Sequence, residues 1–136
     1  MADVPSTDGS DGGRNWAVLA IFFDTSVSGD TSFIGSLDVA KATETGNTVD
    51  EVDLKKFLDG LDLSKFYSYD GSIPVPPCLE IVNWTVLGTP QPITTEQLKA
   101  FTTRWAGNAS FAGGKGNNRD VQLINGRTVS SSVPTV

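Results

Sequence analysis

The chain has 136 residues, enough for one domain with a real hydrophobic core. Ten Lys and Arg against sixteen Asp and Glu leave a net charge of −6, with the basic residues scattered, so nucleic acid and anionic membrane surfaces are not expected partners. The longest apolar run, Trp16 to Phe23, has eight residues, far short of the ~20 that cross a bilayer, and no membrane insertion is expected.

Residues 1–15 (MADVPSTDGSDGGRN) are polar and rich in Gly, Ser and Asp, and read as a flexible lead-in. They have neither the basic start nor the apolar stretch of a signal peptide. Trp16–Asp24 (WAVLAIFFD) is apolar without alternation, which predicts a strand buried on both faces. Gly and Ser then mark a turn, and Ser32 to Lys41 fits a short helix. Apolar Val49, Val52, Leu54, Phe57, Leu58 and Leu61 follow a helical period, with Gly60 near its end. Leu79–Leu87 and Val121–Ile124 read as strands. The best-marked element is a helix from about Thr95 to Trp105. Thr94 and Gln97 have capping-box spacing, and Ile93 and Leu98 are placed for a hydrophobic staple. Leu98, Phe101 and Trp105 fall on one helix face. Pro90 and Pro92 prevent an earlier start, and Gly107 suits the end. The tail past Thr128 is expected to fray, which gives a domain over residues 16–129 and a frayed end over 130–136.

The chain contains no histidine, so it lacks nucleophile–histidine arrangements and histidine metal sites of its own. Its single cysteine, Cys78, cannot build a cysteine-rich zinc site or an internal disulfide, and taken alone points to a reducing compartment. Asp50, Glu51 and Asp53 could form a carboxylate site for Ca²⁺ or Mg²⁺. Their order departs from EF-hand spacing, and a solvated helix N-terminus is the better reading. Ala112–Asn118 (AGGKGNN) lacks the Gly-Lys-Ser/Thr ending of a phosphate loop and reads as a surface loop. Asn83-Trp84-Thr85 and Asn108-Ala109-Ser110 are glycosylation sequons. Asn83 lies in a predicted strand and is a poor acceptor, whereas Asn108 in a loop is usable only in a secreted chain. Sixteen acids on a surface explain the carboxylate pairs more simply than a glycosidase-like dyad does. Tyr67, Tyr69, Trp84 and Trp105 could form a ligand platform, but core packing is favoured.

Tyr67 to Trp84, YSYDGSIPVPPCLEIVNW, packs two tyrosines, a Gly turn, three prolines and the cysteine into one short stretch. It resembles the Y-x-Y-x-G-S-L-T-T-P-P-C-x-E-x-V-x-W motif of the alpha-carbonic anhydrases, zinc enzymes that interconvert carbon dioxide and bicarbonate. Trp16 to Phe23 resembles that family's AVLG-type central strand. Asn117 to Arg127 (NNRDVQLINGR) resembles its closing N-x-R-P-x-Q-P-x-x-x-R segment. Together the blocks run from about Asn15 to Val129 and correspond to the C-terminal half of the family's domain.

The resemblance implies a mainly β fold with a few helices (α+β), built as part of a mixed, mostly antiparallel sheet. It places Val18, Ile73, Val82 and Trp84 at the apolar wall that holds carbon dioxide. The family's three zinc-binding histidines lie on strands N-terminal to the Trp16 strand, before this chain begins, so no zinc and no catalytic residue is expected in this chain alone. Zinc matters because it lowers the pKa of a bound water to about 7. Within the matched stretch, the family's paired threonines correspond to Pro74 and Val75. The first threonine orients the attacking hydroxide and the second is a polar neighbour of the substrate. The family's cysteine at the position of Cys78 pairs with one near the N-terminus of the domain. That partner region is missing here, and the position implies a secreted or lumenal ancestry.

Two roles follow from the resemblance. One is a catalytically inert carbonic anhydrase-like chain with a structural or binding role. The other is the C-terminal part of an active enzyme, completed by an upstream or separate N-terminal half. Pro74 and Val75 favour the first. Under either, the bare apolar strand at Trp16 is an aggregation-prone edge that calls for a protein partner or self-association.

Overall fold

The apolar run at Trp16 does not remain one strand. The computed structural model describes residues 16–42, 46, 48–49, 51–106 and 119–132. In it, β1 covers Trp16–Ala20 and β2 only Phe23–Asp24, with Ile21 and Phe22 between them outside any strand. The break coincides with a boundary between two compact units, one drawn from Met1–Phe22, Asp62–Thr89 and Val121–Val136, the other from Phe23–Leu61 and Pro90–Asp120.

The first unit is built on a sheet whose other strands are β3 (Phe66–Gly71), β4 (Val82–Leu87) and β6 (Ser130–Ser131), in the order β1-β4-β3-β6. β1 runs parallel to β4, while β3 is antiparallel to both β4 and β6, so the sheet is mixed and mostly antiparallel, as expected. β4 is rich in β-branched and aromatic side chains, which suit a pleated, packed surface. Its ends hold the buried core of this unit: Val82 and Leu87 are 1% and 2% exposed, next to buried Ile81.

Three sequence expectations need correction in this unit. β1 is not buried on both faces: Trp16 is 49% and Leu19 41% exposed, because β1 is an edge strand that pairs only with β4 among the described residues. Val121–Ile124 is no strand; Val121 is 99% exposed, and the segment runs into a turn closed by the Arg127 N–H on the Ile124 carbonyl at 3.0 Å. Its apolar residues meet no strand edge within the chain. The tail does not fray at Ser130, since Ser130 and Ser131 pair with Ser68 and Tyr67. The Ser132 hydroxyl accepts the Phe66 N–H at 2.7 Å and donates to the Ser64 carbonyl at 2.8 Å. Such polar anchoring leaves no hydrophobic pattern to read. β3 was legible only as part of a motif, although Tyr67 and Tyr69 alternate with Ser68 and Asp70 at strand period.

The second unit pairs β2 in parallel with β5 (Gln91–Pro92) and adds α1 (Ser32–Ser36), a 3₁₀ turn at Val39–Lys41, α2 (Leu54–Asp59) and α3 (Thr95–Trp105). The single helix expected over Ser32–Lys41 is split by Asp38, whose φ of 45° is left-handed. α2 is shorter than its apolar period because Asp53 caps it, its carboxylate accepting the Lys56 N–H at 2.8 Å. That role also accounts for Asp53 without a metal; Asp50 lies outside the described residues. Phe57 stacks on Phe33 at 3.9 Å between centroids and on Phe23 at 6.1 Å. Ile34, Leu61 and Ile93 are buried.

α3 matches its expected bounds. The Thr94 hydroxyl accepts the Gln97 N–H at 3.1 Å, and the Gln97 side chain accepts the Thr94 N–H at 2.9 Å. Gln97 also donates to the Thr31 carbonyl at 3.1 Å, tying α3 to the start of α1. Backbone N–H groups of Ser26 and Ser32 bond the carboxylates of Asp24 and Asp30 and hold both below the usual carboxylate range. The end residue Gly107, the loop at Ala112–Asn118 and Asn108 lie outside the described residues. Among those residues no helix is long and apolar enough to cross a membrane.

Candidate functional site

Register places the candidate wall. Trp16, Val18 and Ala20 of β1 lie opposite Val82, Trp84 and Val86 of β4, and Tyr69 and Gly71 of β3 lie opposite Trp84 and Val82. Directly paired residues project to the same side of a sheet. Val18, Val82, Trp84 and Tyr69 therefore share one face, and Val18 is the direct neighbour of Trp84. Trp84 and Tyr69 stack with centroids 6.4 Å apart and an interplanar angle of 8°. Both are half-buried, so they pack as well as face outward, whereas Tyr67 is 42% exposed and is not core. The Trp105 side chain lies outside the described residues.

Glycine at 71 is a packing requirement of this face. A Cβ there would lie 2.9 Å from Trp84 Cδ1 and 2.9 Å from Tyr69 Cε2. Gly71→Ala is expected to destabilise the chain by about 1–3 kcal/mol through this overpacking. A urea titration should show a lower midpoint; an unchanged midpoint would mean that the two rings move aside freely.

The loop after β3 is fastened to the same indole. Trp84 Nε1–H donates to the Ser72 carbonyl at 3.1 Å, which fixes the residue just before Ile73. The Ile73 N–H donates to the Leu79 carbonyl at 3.0 Å, closing a loop over residues 73–79. Inside it the Cys78 N–H donates to the Val75 carbonyl at 2.9 Å around a cis Pro76–Pro77 bond, a type VI turn. Ile73 is half-buried at the base of the loop, while Pro74 and Val75 are exposed on it, Val75 at 58%. Cys78 is a half-buried free thiol at φ 59°.

The structure thus brings Val18, Val82 and Trp84 onto one face and ties the Ile73 loop to them through Ser72. It also joins two residues from separate sequence blocks. Arg127 Nη2 donates to Glu80 Oε1 at 3.0 Å, pinning the closing segment beside β4. Both residues lie in the matched blocks, but nothing in the sequence marks them as a pair. Asn83 is exposed on the opposite face, with its amide 3.4 Å from the Asp70 carboxylate.

The family model for eukaryotic-type carbonic anhydrase matches residues 6–133. The chain belongs to this carbonic anhydrase family. Alpha carbonic anhydrase 3 of Arabidopsis thaliana is 37% identical over 93 residues, covering 65% of this chain and 31% of that relative. Putative carbonic anhydrase 5 of Caenorhabditis elegans is 38% identical over 74 residues, covering 54% and 23%. Among solved structures, a halotolerant carbonic anhydrase from Dunaliella salina is 31% identical with a TM-score of 0.65, over 85% of this chain and 44% of its own. The alpha-carbonic anhydrase of Thermovibrio ammonificans, in complex with the inhibitor sulfanilamide, is 29% identical with a TM-score of 0.63, over 83% and 46%. The chain spans under half the length of each of these carbonic anhydrases.

The alpha-carbonic anhydrase family is zinc-dependent. The donors of this chain do not fit that ion: it has no histidine and one cysteine. Among the described residues, no three His, Cys, Asp or Glu side chains are grouped to hold a metal. What this carbonic anhydrase chain retains is the face of Val18, Val82 and Trp84 with its attached loop.

Proposed function

We propose that this chain, taken by itself, is a catalytically inert carbonic anhydrase-like polypeptide with a structural or binding role, docked on another polypeptide. The observation that carries this reading is Pro74 and Val75 at the positions of the family's two threonines, on a loop that keeps its closed backbone. Proline offers no side-chain donor or acceptor and no backbone N–H. Loss of one well-aimed polar group in such a site typically costs about 10²–10³ in rate. The poor fit of the donor set to zinc supports the same reading, and Cys78 at the family's disulfide position supports a secreted or lumenal ancestry.

The experiment is a stopped-flow carbon dioxide hydration assay on the chain with added zinc. The expected rate is that of buffer. A rate above buffer that sulfanilamide abolishes would overturn the proposal.

A second reading is favoured by length. The chain spans 44% of the Dunaliella salina chain, which suits a C-terminal part of a zinc-dependent carbonic anhydrase completed by an N-terminal half. Both readings require this chain to bind another polypeptide segment.

A further inference from the structure

Parallel pairing dictates which backbone groups of β1 remain open. The Trp16 N–H donates to the Ile81 carbonyl at 3.2 Å, so Trp16, Val18 and Ala20 turn their backbone groups toward β4. Ala17 and Leu19, between them, turn N–H and C=O outward. Among the described residues no strand pairs with that outer edge. Natural edges are blunted by charge, proline or a bulge. Trp16 to Phe23 contains no charged residue and no proline, and the exposure of Trp16 and Leu19 leaves apolar side chains along the edge.

A second apolar segment belongs to the same unit. Arg127, bonded to Glu80, fixes the closing segment next to Ile81, the residue that accepts the Trp16 N–H. In that segment Leu123 is 79% and Ile124 61% exposed. Solvent-exposed apolar residues at an open edge mark a docking surface rather than a finished one.

We propose that the outer edge of β1 receives an extended, uncharged strand from the half of the carbonic anhydrase domain that this chain does not match. This rests on the reading that the chain docks on another polypeptide, and it names the surface and the occupant. Two observations select that occupant. More than four-fifths of this chain superposes on under half of each solved carbonic anhydrase, so the sheet is cut where the rest of their domain has no counterpart here. A second copy would instead bring another net charge of −6.

The test uses the full 136-residue chain and, as probe, the part of the Dunaliella salina enzyme that it does not match, diluted from urea into the chain. Hydrogen exchange and a binding titration should show saturable one-to-one binding with protection of the Ala17 and Leu19 amides. Ala17→Pro removes only an outward N–H, and Leu19→Lys places a charge on the edge. Each should weaken binding by about tenfold or more. Unchanged exchange of the β3 and β4 amides in each variant would show that the sheet is intact, and Leu98→Lys in the second unit should bind as the parent does. Absence of binding, or binding without protection at Ala17 and Leu19, overturns the proposal. A dimer of the chain alone with the same two amides protected overturns the choice of occupant. Binding is read without activity, so this outcome is independent of the carbon dioxide hydration assay.

Discussion

Leu87→Ala should remove about 3 kcal/mol of stability, within the 2–5 kcal/mol typical of a buried leucine cut to alanine. Leu87 is 2% exposed at the end of β4, and β4 is bonded on both sides, to β1 and β3. In its unit the buried apolar residues among those described are Ile81, Val82 and Leu87. A void at Leu87 therefore has few neighbours that can collapse into it. Against the total of about 5–15 kcal/mol that holds an ordinary domain folded, the loss is large. Urea unfolding followed by tryptophan fluorescence measures it. Leu98→Ala, at a residue 41% exposed on α3, serves as control and should cost no more than about 1 kcal/mol. Equal effects at the two positions would mean that the core of this chain is not where β4 puts it.

The elements legible in the sequence are those whose causes are local. α3 follows from Thr94, Gln97 and the prolines before it, and its bounds match. β4 follows from its own composition. The misreadings share the opposite property. Trp16–Asp24 has the composition of a fully buried strand, yet burial depends on what lies on either side, and β1 finds only β4. Val121–Ile124 has apolar residues without an edge to join. Ser130–Ser131 is held by backbone pairing and the Ser132 hydroxyl, neither of which leaves an apolar signature.

The candidate site divides in the same way. Val18, Ile73, Val82 and Trp84 came from resemblance, one position at a time. Their assembly depends on a parallel register between residues 16–20 and 82–86, a pairing across more than sixty positions that no local pattern encodes. The bond from Trp84 to Ser72 is of the same kind: the indole needs an acceptor once half-buried, but only the folded loop shows which carbonyl supplies it.

The loop also allows the chemical cost of Pro74 and Val75 to be separated from any change of shape. Ser72–Cys78 of this chain, grafted over the Ser-Leu-Thr-Thr-Pro-Pro-Cys stretch of an intact, active family member, should lower kcat by about 10²–10³. The graft carries its own closure: Cys78 N–H to the Val75 carbonyl across the cis Pro76–Pro77 bond. Its Ile73 is an apolar replacement for leucine, so the apolar wall is kept. The loss should therefore fall on kcat with KM little changed, the pattern of an interaction made in the transition state rather than in substrate binding. Single replacements by proline at the first threonine and valine at the second apportion the effect, and the first should account for most of it, because proline also removes a backbone donor. Metal content and melting temperature are measured alongside. Retention of kcat within tenfold at full zinc content would show that these two positions do not silence the site.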